Sequence, residues 1–188
     1  SSIEKVKAMP QVEAVKDKDF DILFLTDYVD EFAITALQEY EEKKFQNIEN
    51  GDLDLESDEE KESTKKSNKE NKDLLKDMAS VLGEVEEVKF TNKLKNHPVC
   101  LTSKGDVSIE MQKVFDAMPN GMGIKATLVL EINEKHPIST KLKELYKDDK
   151  ETFDKYAKIL YSEARTIAGL PVDNPTEITS LICDVISK

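Results

Sequence analysis

The side chains that could do bond-making chemistry are few and scattered. The 2 histidines, His97 and His136, are each followed by proline, and neither has a second histidine four residues on. A metal ligand or general base needs a partner within reach, so both read as turn residues. Cys100 and Cys183 lack the short paired spacing of a zinc site and make no disulfide framework; a reduced, cytoplasmic compartment is expected. Gly121-Met122-Gly123 lacks the further glycines and the following helix of a phosphate-binding loop. There is no Gly-x-Ser-x-Gly elbow. The 39 carboxylates are spread along the chain, and nothing in the sequence places two of them in one apolar pocket. No catalytic residue, metal ligand or cofactor site is therefore assigned to this chain. An enzyme would need a concave pocket with perturbed carboxyl groups, and that stands as a rival reading.

What the spacing does support is apolar contact. Met111, Phe115, Met118 and Met122 lie close together, and methionine suits surfaces that adapt to varied partners. The same pattern also describes an ordinary core helix. A second apolar set closes the chain. Phe153, Tyr156, Ala157, Leu160, Tyr161, Ala164, Ile167 and Ala168 form one stripe at helical spacing. Gly169 and Pro171 end that helix; Asn174, Pro175 and Glu177 read as N-cap, N1 and N3 of the next. Ile178, Leu181, Ile182, Val185 and Ile186 then repeat along it. Burying each large aliphatic is worth ~1.5–3 kcal/mol, so these stripes need a cover. It is either the chain's own core or a second copy. In the second case Tyr156, Leu160, Ala164, Ile167, Ile178, Leu181, Ile182, Val185 and Ile186 form the interface of a homodimer made through Thr152–Lys188.

At 188 residues the chain can hold one large or two small domains. Its 38% apolar content supports a core, and its net charge of −12 argues against nucleic acid and anionic membranes, which need a positive footprint. No apolar run reaches the ~20 residues of a membrane helix. The first ten residues have no apolar signal core, and their helix-like character suggests a piece of a longer protein.

In chain order, Ile3 to Met9 and Val12 to Val15 suggest short helices separated by Pro10. Phe20-Asp21-Ile22-Leu23-Phe24-Leu25 suits a buried parallel strand. Thr26 or Asp27 can cap a helix over about Val29–Glu41, and Phe45 to Ile48 looks like a second strand. Asn50 to Asp73 has only Leu53 and Leu55 as apolar residues; it reads as a spacer, at best a solvated helix. The expected division is thus residues 1–50, a charged linker 51–73, and a second domain 74–188. That domain begins with a helix from Leu74 to Leu82, ended by Gly83. A strand from Val88 to Thr91 pairs in a hairpin with Pro98 to Thr102. Asp106 opens the Met-rich helix, Ala126 to Ile132 is a strand with one buried face, and Ile138 to Tyr146 is helical. The fold class is α+β: a small helix/strand unit, then a mixed domain ending in amphipathic helices.

Several segments together resemble the heat-shock protein 90 chaperone family, in its bacterial form. Phe20 to Phe32 is similar to the strand-to-helix segment near the end of that family's middle domain, where an apolar strand precedes an Asp-Glu pair and an aromatic. Leu37-Gln38-Glu39-Tyr40 with Lys44-Phe45 looks like its continuation. Leu130-Glu131-Ile132-Asn133 with His136-Pro137 resembles a strand and turn of its C-terminal domain, and Ala168 to Pro175 the loop between its last two helices. The likeness covers nearly the whole chain except Asn50 to Asp73. It implies the end of a middle domain plus a C-terminal dimerisation domain of an ATP-driven, stress-linked folding machine. It places the ATP and magnesium site, and a catalytic arginine, in parts this chain lacks. The ending Ile186-Ser187-Lys188 has no Met-Glu-Glu-Val-Asp tail, as in the bacterial form. The partners implied are a second copy and non-native client proteins. Two client contacts carry over: Phe32, after the Asp-Glu pair, and the helix bearing Val107, Met111, Val114 and Phe115, which Met118 extends. The rival is a purely structural dimerisation module with Met111 to Met122 buried.

Overall fold

Apolar runs, caps and breakers divide the chain into nine helices and five strands among the described residues. The structure, a computed structural model, describes residues 3–16, 18, 20–27, 29–50, 56–119 and 123–187, leaving out the side chain of Ala14. Tyr28, Leu53, Leu55, Gly121 and Met122, which enter the sequence reading, lie outside the described residues. In order the elements are α1 (Ile3–Lys7), α2 (Pro10–Lys16), α3 (Asp30–Leu37), β1 (Glu39–Tyr40), β2 (Lys43–Lys44), α4 (Asp58–Glu70), α5 (Lys72–Leu82), β3 (Glu87–Thr91), β4 (Val99–Lys104), α6 (Ile109–Ala117), β5 (Thr127–Asn133), α7 (Pro137–Asp148), α8 (Lys150–Ile167) and α9 (Pro175–Ile186). The class is α+β, as expected.

The core is a three-stranded sheet in the order β3-β5-β4, parallel between β3 and β5 and antiparallel between β4 and β5. Phe90, Leu101, Leu130 and Ile132 pack with Met78 of α5, Leu142 of α7 and Phe153 of α8 in one apolar cluster. The expected hairpin between β3 and β4 does not form. β5 inserts between them, because a central strand satisfies its N–H and C=O groups on both edges. β5 is also buried on both faces rather than one: Val129, Glu131 and Asn133 are buried beside Leu130 and Ile132. Glu131 can be buried because Lys89 Nζ stands 3.3 Å away and Thr102 Oγ1 donates to it at 3.0 Å. Asn133 Nδ2 donates to the carbonyls of Lys95 and His97, which shapes the connection that sequence read as a hairpin.

The first 50 residues differ most from expectation. Phe20 to Leu25 is in no strand, and Phe20 and Leu23 are 60% and 62% exposed. A strand needs a neighbour for its backbone groups, and none of the described strands lies beside it. The helix expected to run to Glu41 ends at Leu37, where the small hairpin of β1 and β2 takes over, turned by Glu41 and Glu42 at φ 48 and 66, and the expected strand at Phe45–Ile48 does not form. Capping at α3 is reversed. Neither Thr26 nor Asp27 caps it; the Asp30 carboxylate accepts from both of their backbone N–H groups, at 3.1 and 3.0 Å. α2 docks on β4 through buried Val12 and Val15, and Gln11 Nε2 donates to the Leu101 carbonyl at 2.7 Å.

Part of the expected spacer is the ordered helix α4. Its polarity hides it from apolar patterning, but Ser57 and Glu60 form a capping box at its start. Three other expected helix ends are observed. Gly83 closes α5 at φ 70, Gly169 turns the chain after α8 at φ 71, and Asn174 caps α9 through the Glu177 N–H.

Candidate interaction surfaces

α6 is started by Ser108, not by Asp106: the Ser108 hydroxyl accepts from the Met111 N–H at 3.0 Å, so Val107 precedes the helix. The inward side is small. Ile109 is buried, and Gln112 is buried with its Oε1 accepting from the Ala126 N–H at 2.9 Å. That contact aims the rest of the helix outward. Val107, Met111, Val114 and Phe115 are half-buried, and Met118 is 43% exposed. None of these five is fully buried, though Val107 packs against the core cluster, and Met122 lies outside the described residues.

The two regions expected to act together do meet. The rings of Phe32 on α3 and Phe115 on α6 stand 6.3 Å apart in an edge-to-face arrangement, and Phe32 remains 37% exposed. Beside them the Ser108 hydroxyl donates to Glu31. Lys113 pairs with Glu110 on the same helix. Burial raises Glu31 above the ordinary carboxyl range, opposed by the Ser108 bond, with further upward pressure from Glu110. Glu49 is buried nearby, and burial with repulsion from Glu110 and Glu31 pushes it up to about 7 despite Lys113. Sequence reading singled out none of Glu49, Glu110, Lys113 and Ser108. Only Ser108 carried a local signal, as a serine immediately before a helical run. Lys113 also lies beside Gly169: a Cβ there would stand 3.2 Å from its Nζ. α6 therefore adjoins the turn between α8 and α9.

The closing helices divide the expected interface residues in two. Leu160 and Ala164 are buried in the chain's own core, and Tyr156 packs against it. Ile167 is exposed. On α9 no residue is buried at all: Ile178, Leu181, Ile182 and Val185 are half-buried, and Ile186 is 78% exposed. α9 is held to α8 by rim charges, Lys155 to Asp184 at 3.1 Å and Lys158 to Glu177 at 3.0 Å. Arg165 fixes the turn between them by donating from Nε to the Pro171 carbonyl at 2.7 Å and pairing with Glu84 and Asp173.

Among the described residues no three His, Cys, Asp or Glu side chains stand together in a way that could hold a metal ion. None of their helices is long and apolar enough to cross a membrane.

A family model described as Hsp90 protein matches residues 1–188. The chain is 46% identical over 186 residues to the chaperone protein HtpG of Clostridium perfringens strain 13, covering 98% of this chain and 29% of that relative. It is 47% identical over 186 residues to the chaperone protein HtpG of Clostridium acetobutylicum, and 41% identical over the same length to that of Alkaliphilus oremlandii. Each of these two alignments covers 98% of this chain and 30% of the relative, so the chain spans under a third of the relatives' length. The chain belongs to the Hsp90 protein family.

Proposed function

We propose that this chain is the part of an Hsp90-family chaperone that joins two copies and offers an adaptable apolar surface to non-native polypeptides. The observation that carries the reading is a shared one: α9 holds all its large apolar side chains half-buried or exposed, and α6 all but the core residue Ile109. On α9 and the end of α8 the occupant is a second copy, through Ile167 of α8 and Ile178, Leu181, Ile182, Val185 and Ile186 of α9. On α6 it is the client, through Met111, Val114, Phe115 and Met118, with Val107 and Phe32 at its margin. Scattered apolar groups on a client suit a flexible methionine surface better than one deep pocket, and two copies raise the effective concentration of the second contact. Nucleotide hydrolysis is assigned to portions of such chaperones that this chain does not span. The free thiols of Cys100 and Cys183 fit a reduced, cytoplasmic setting.

The test joins mass and binding. Light scattering at micromolar concentration is expected to give a dimer, and Leu181→Asp to give a monomer, because the charge would be desolvated in the interface. Met111→Ser with Phe115→Ser is expected to weaken binding of a labelled, permanently unfolded protein while the dimer mass and thermal midpoint hold. A wild-type monomer removes the dimer role. The edge-to-face packing of Phe32 on Phe115 favours the rival, a structural module. A large drop in midpoint for the double variant would decide for it.

A further inference from the structure

α4 has no aliphatic or aromatic side chain, and Ser67 is its only buried residue. It nevertheless lies along β3, the outer strand of the sheet. The link is one side chain. Asn68 Oδ1 accepts from the Phe90 N–H at 2.8 Å, and Asn68 Nδ2 donates to the Phe90 carbonyl at 3.0 Å. Exchange of both backbone bonds with one residue is the pattern of a hydrogen-bonded pair between antiparallel strands. The Asn68 carboxamide thus stands where a peptide of a fourth strand would stand.

The rest of the seam is polar and incompletely satisfied. Asn92 Nδ2 donates to Thr64 Oγ1 at 2.8 Å, and Lys135 pairs with Glu60 at 3.3 Å. Ser67 Oγ and Asn92 Oδ1 are buried with no hydrogen-bond partner. A helix this short is marginal on its own in water, and α4 brings no aliphatic or aromatic side chain to the seam. α4 is therefore held in place by replaceable bonds over an edge that can pair with any backbone.

We propose that α4 is a displaceable guard on β3, and that the guarded edge takes an extended segment of a non-native polypeptide as an antiparallel strand opposite Phe90. Every peptide group carries the donor and acceptor that Asn68 imitates, so such binding tolerates varied client sequences. The inference rests on the client-binding reading and adds a second, backbone-directed contact to the α6 surface. When α4 must open first, apparent affinity rises with the open fraction.

The test uses the whole chain and reduced, carboxymethylated α-lactalbumin as the unfolded probe. Asn68→Ala removes both bonds to Phe90. The Phe90 amide is expected to exchange faster in the free variant and to regain protection when the probe saturates it. Probe affinity is expected to rise by at least about threefold over wild type, the scale of one lost hydrogen bond. Lys65→Gly loosens α4 from its exposed side without touching β3 and is expected to act in the same direction; it carries the test if the Asn68 variant does not fold. If the probe binds both variants and wild type alike, with Phe90 still exchanging fast in the complex, the edge is not the site while client binding stands. If wild type and variants all fail to bind, both proposals fall. If Phe90 is protected in Asn68→Ala without probe and the mass increases, the occupant is another copy and the proposal is overturned.

Discussion

The ionisation of Glu49 bears on stability. It is buried, carries a raised pKa of about 7 against an ordinary 4.5, and faces Glu110, Glu31 and Lys113. Below about pH 4.5 both folded and unfolded chains hold its proton, and it costs nothing. Between about 4.5 and 7 the unfolded chain ionises first, so stability falls as pH rises through that window; above it the loss is on the order of 3 kcal/mol. Urea midpoints at pH 5 and pH 8 should show the loss, and Glu49→Gln should flatten it. A wild-type midpoint no lower at pH 8 would remove the account. Glu13 works at the other end of the scale. Burial alone would raise it, but His97 Nδ1 at 3.1 Å and hydrogen bonds from Asn96 hold it at about 2. Its contribution is present above the ordinary 4.5 and is lost as pH falls toward 2, so a separate decline below about pH 4 is expected. No short sequence pattern marks either residue, because each is perturbed by groups from other parts of the chain.

α4 shows what a helix is when no apolar face holds it. The Ser57 hydroxyl accepts from the Glu60 N–H at 3.2 Å, and the Glu60 carboxylate accepts from the Ser57 N–H at 3.2 Å. Ser57→Ala removes half of this box, worth about 1 kcal/mol. Amide exchange should quicken through α4 while the global thermal midpoint stays close to wild type, since little else packs on this helix. A midpoint drop comparable to a core substitution would mean that α4 belongs to the cooperative core. The same contrast explains what was legible in sequence. α5, α8 and α9 were readable because stripe and stop signals are local: Gly83, Gly169 and Asn174 sit at the ends they specify. The order β3-β5-β4 was not, because β5 comes from beyond α6 to displace the nearer pairing. α4 was legible only as the solvated-helix alternative to a spacer, because capping, not apolar patterning, marks it. The Met-rich helix was legible as amphipathic, but its exposed side depends on Gln112 reaching Ala126, which periodicity cannot show. The contact of Phe32 with Phe115 joins positions too far apart in the chain for spacing to reveal.

At the scale of the molecule, the first unit is tied to the rest of the chain at three places, and one of them lies at the candidate client surface. One is α2, whose buried Val12 and Val15 lie against β4, with Gln11 and Glu13 bonding to Leu101 and Asn96. Another is α3, which sets Phe32 on Phe115 and Glu31 beside Ser108. The third follows α3, where the Glu49 carbonyl accepts from the Ser103 N–H of β4 at 3.0 Å. The apolar cluster that holds the sheet, α5, α7 and α8 together includes no residue of the first 50. Detaching that unit should therefore leave the sheet folded. Val12→Asp places a charge where no solvent reaches and offers the test, because an unpaired buried charge costs several kcal/mol and undocking α2 relieves it. The expected result is a larger radius of gyration by X-ray scattering with the main thermal transition retained. Phe115, freed of Phe32, should then become more accessible, and the unfolded probe should bind at least as tightly as to wild type. Loss of the whole transition would make α2 part of one indivisible core. An unchanged radius with weakened probe binding would show that Phe32 is a contact the client needs in its docked position.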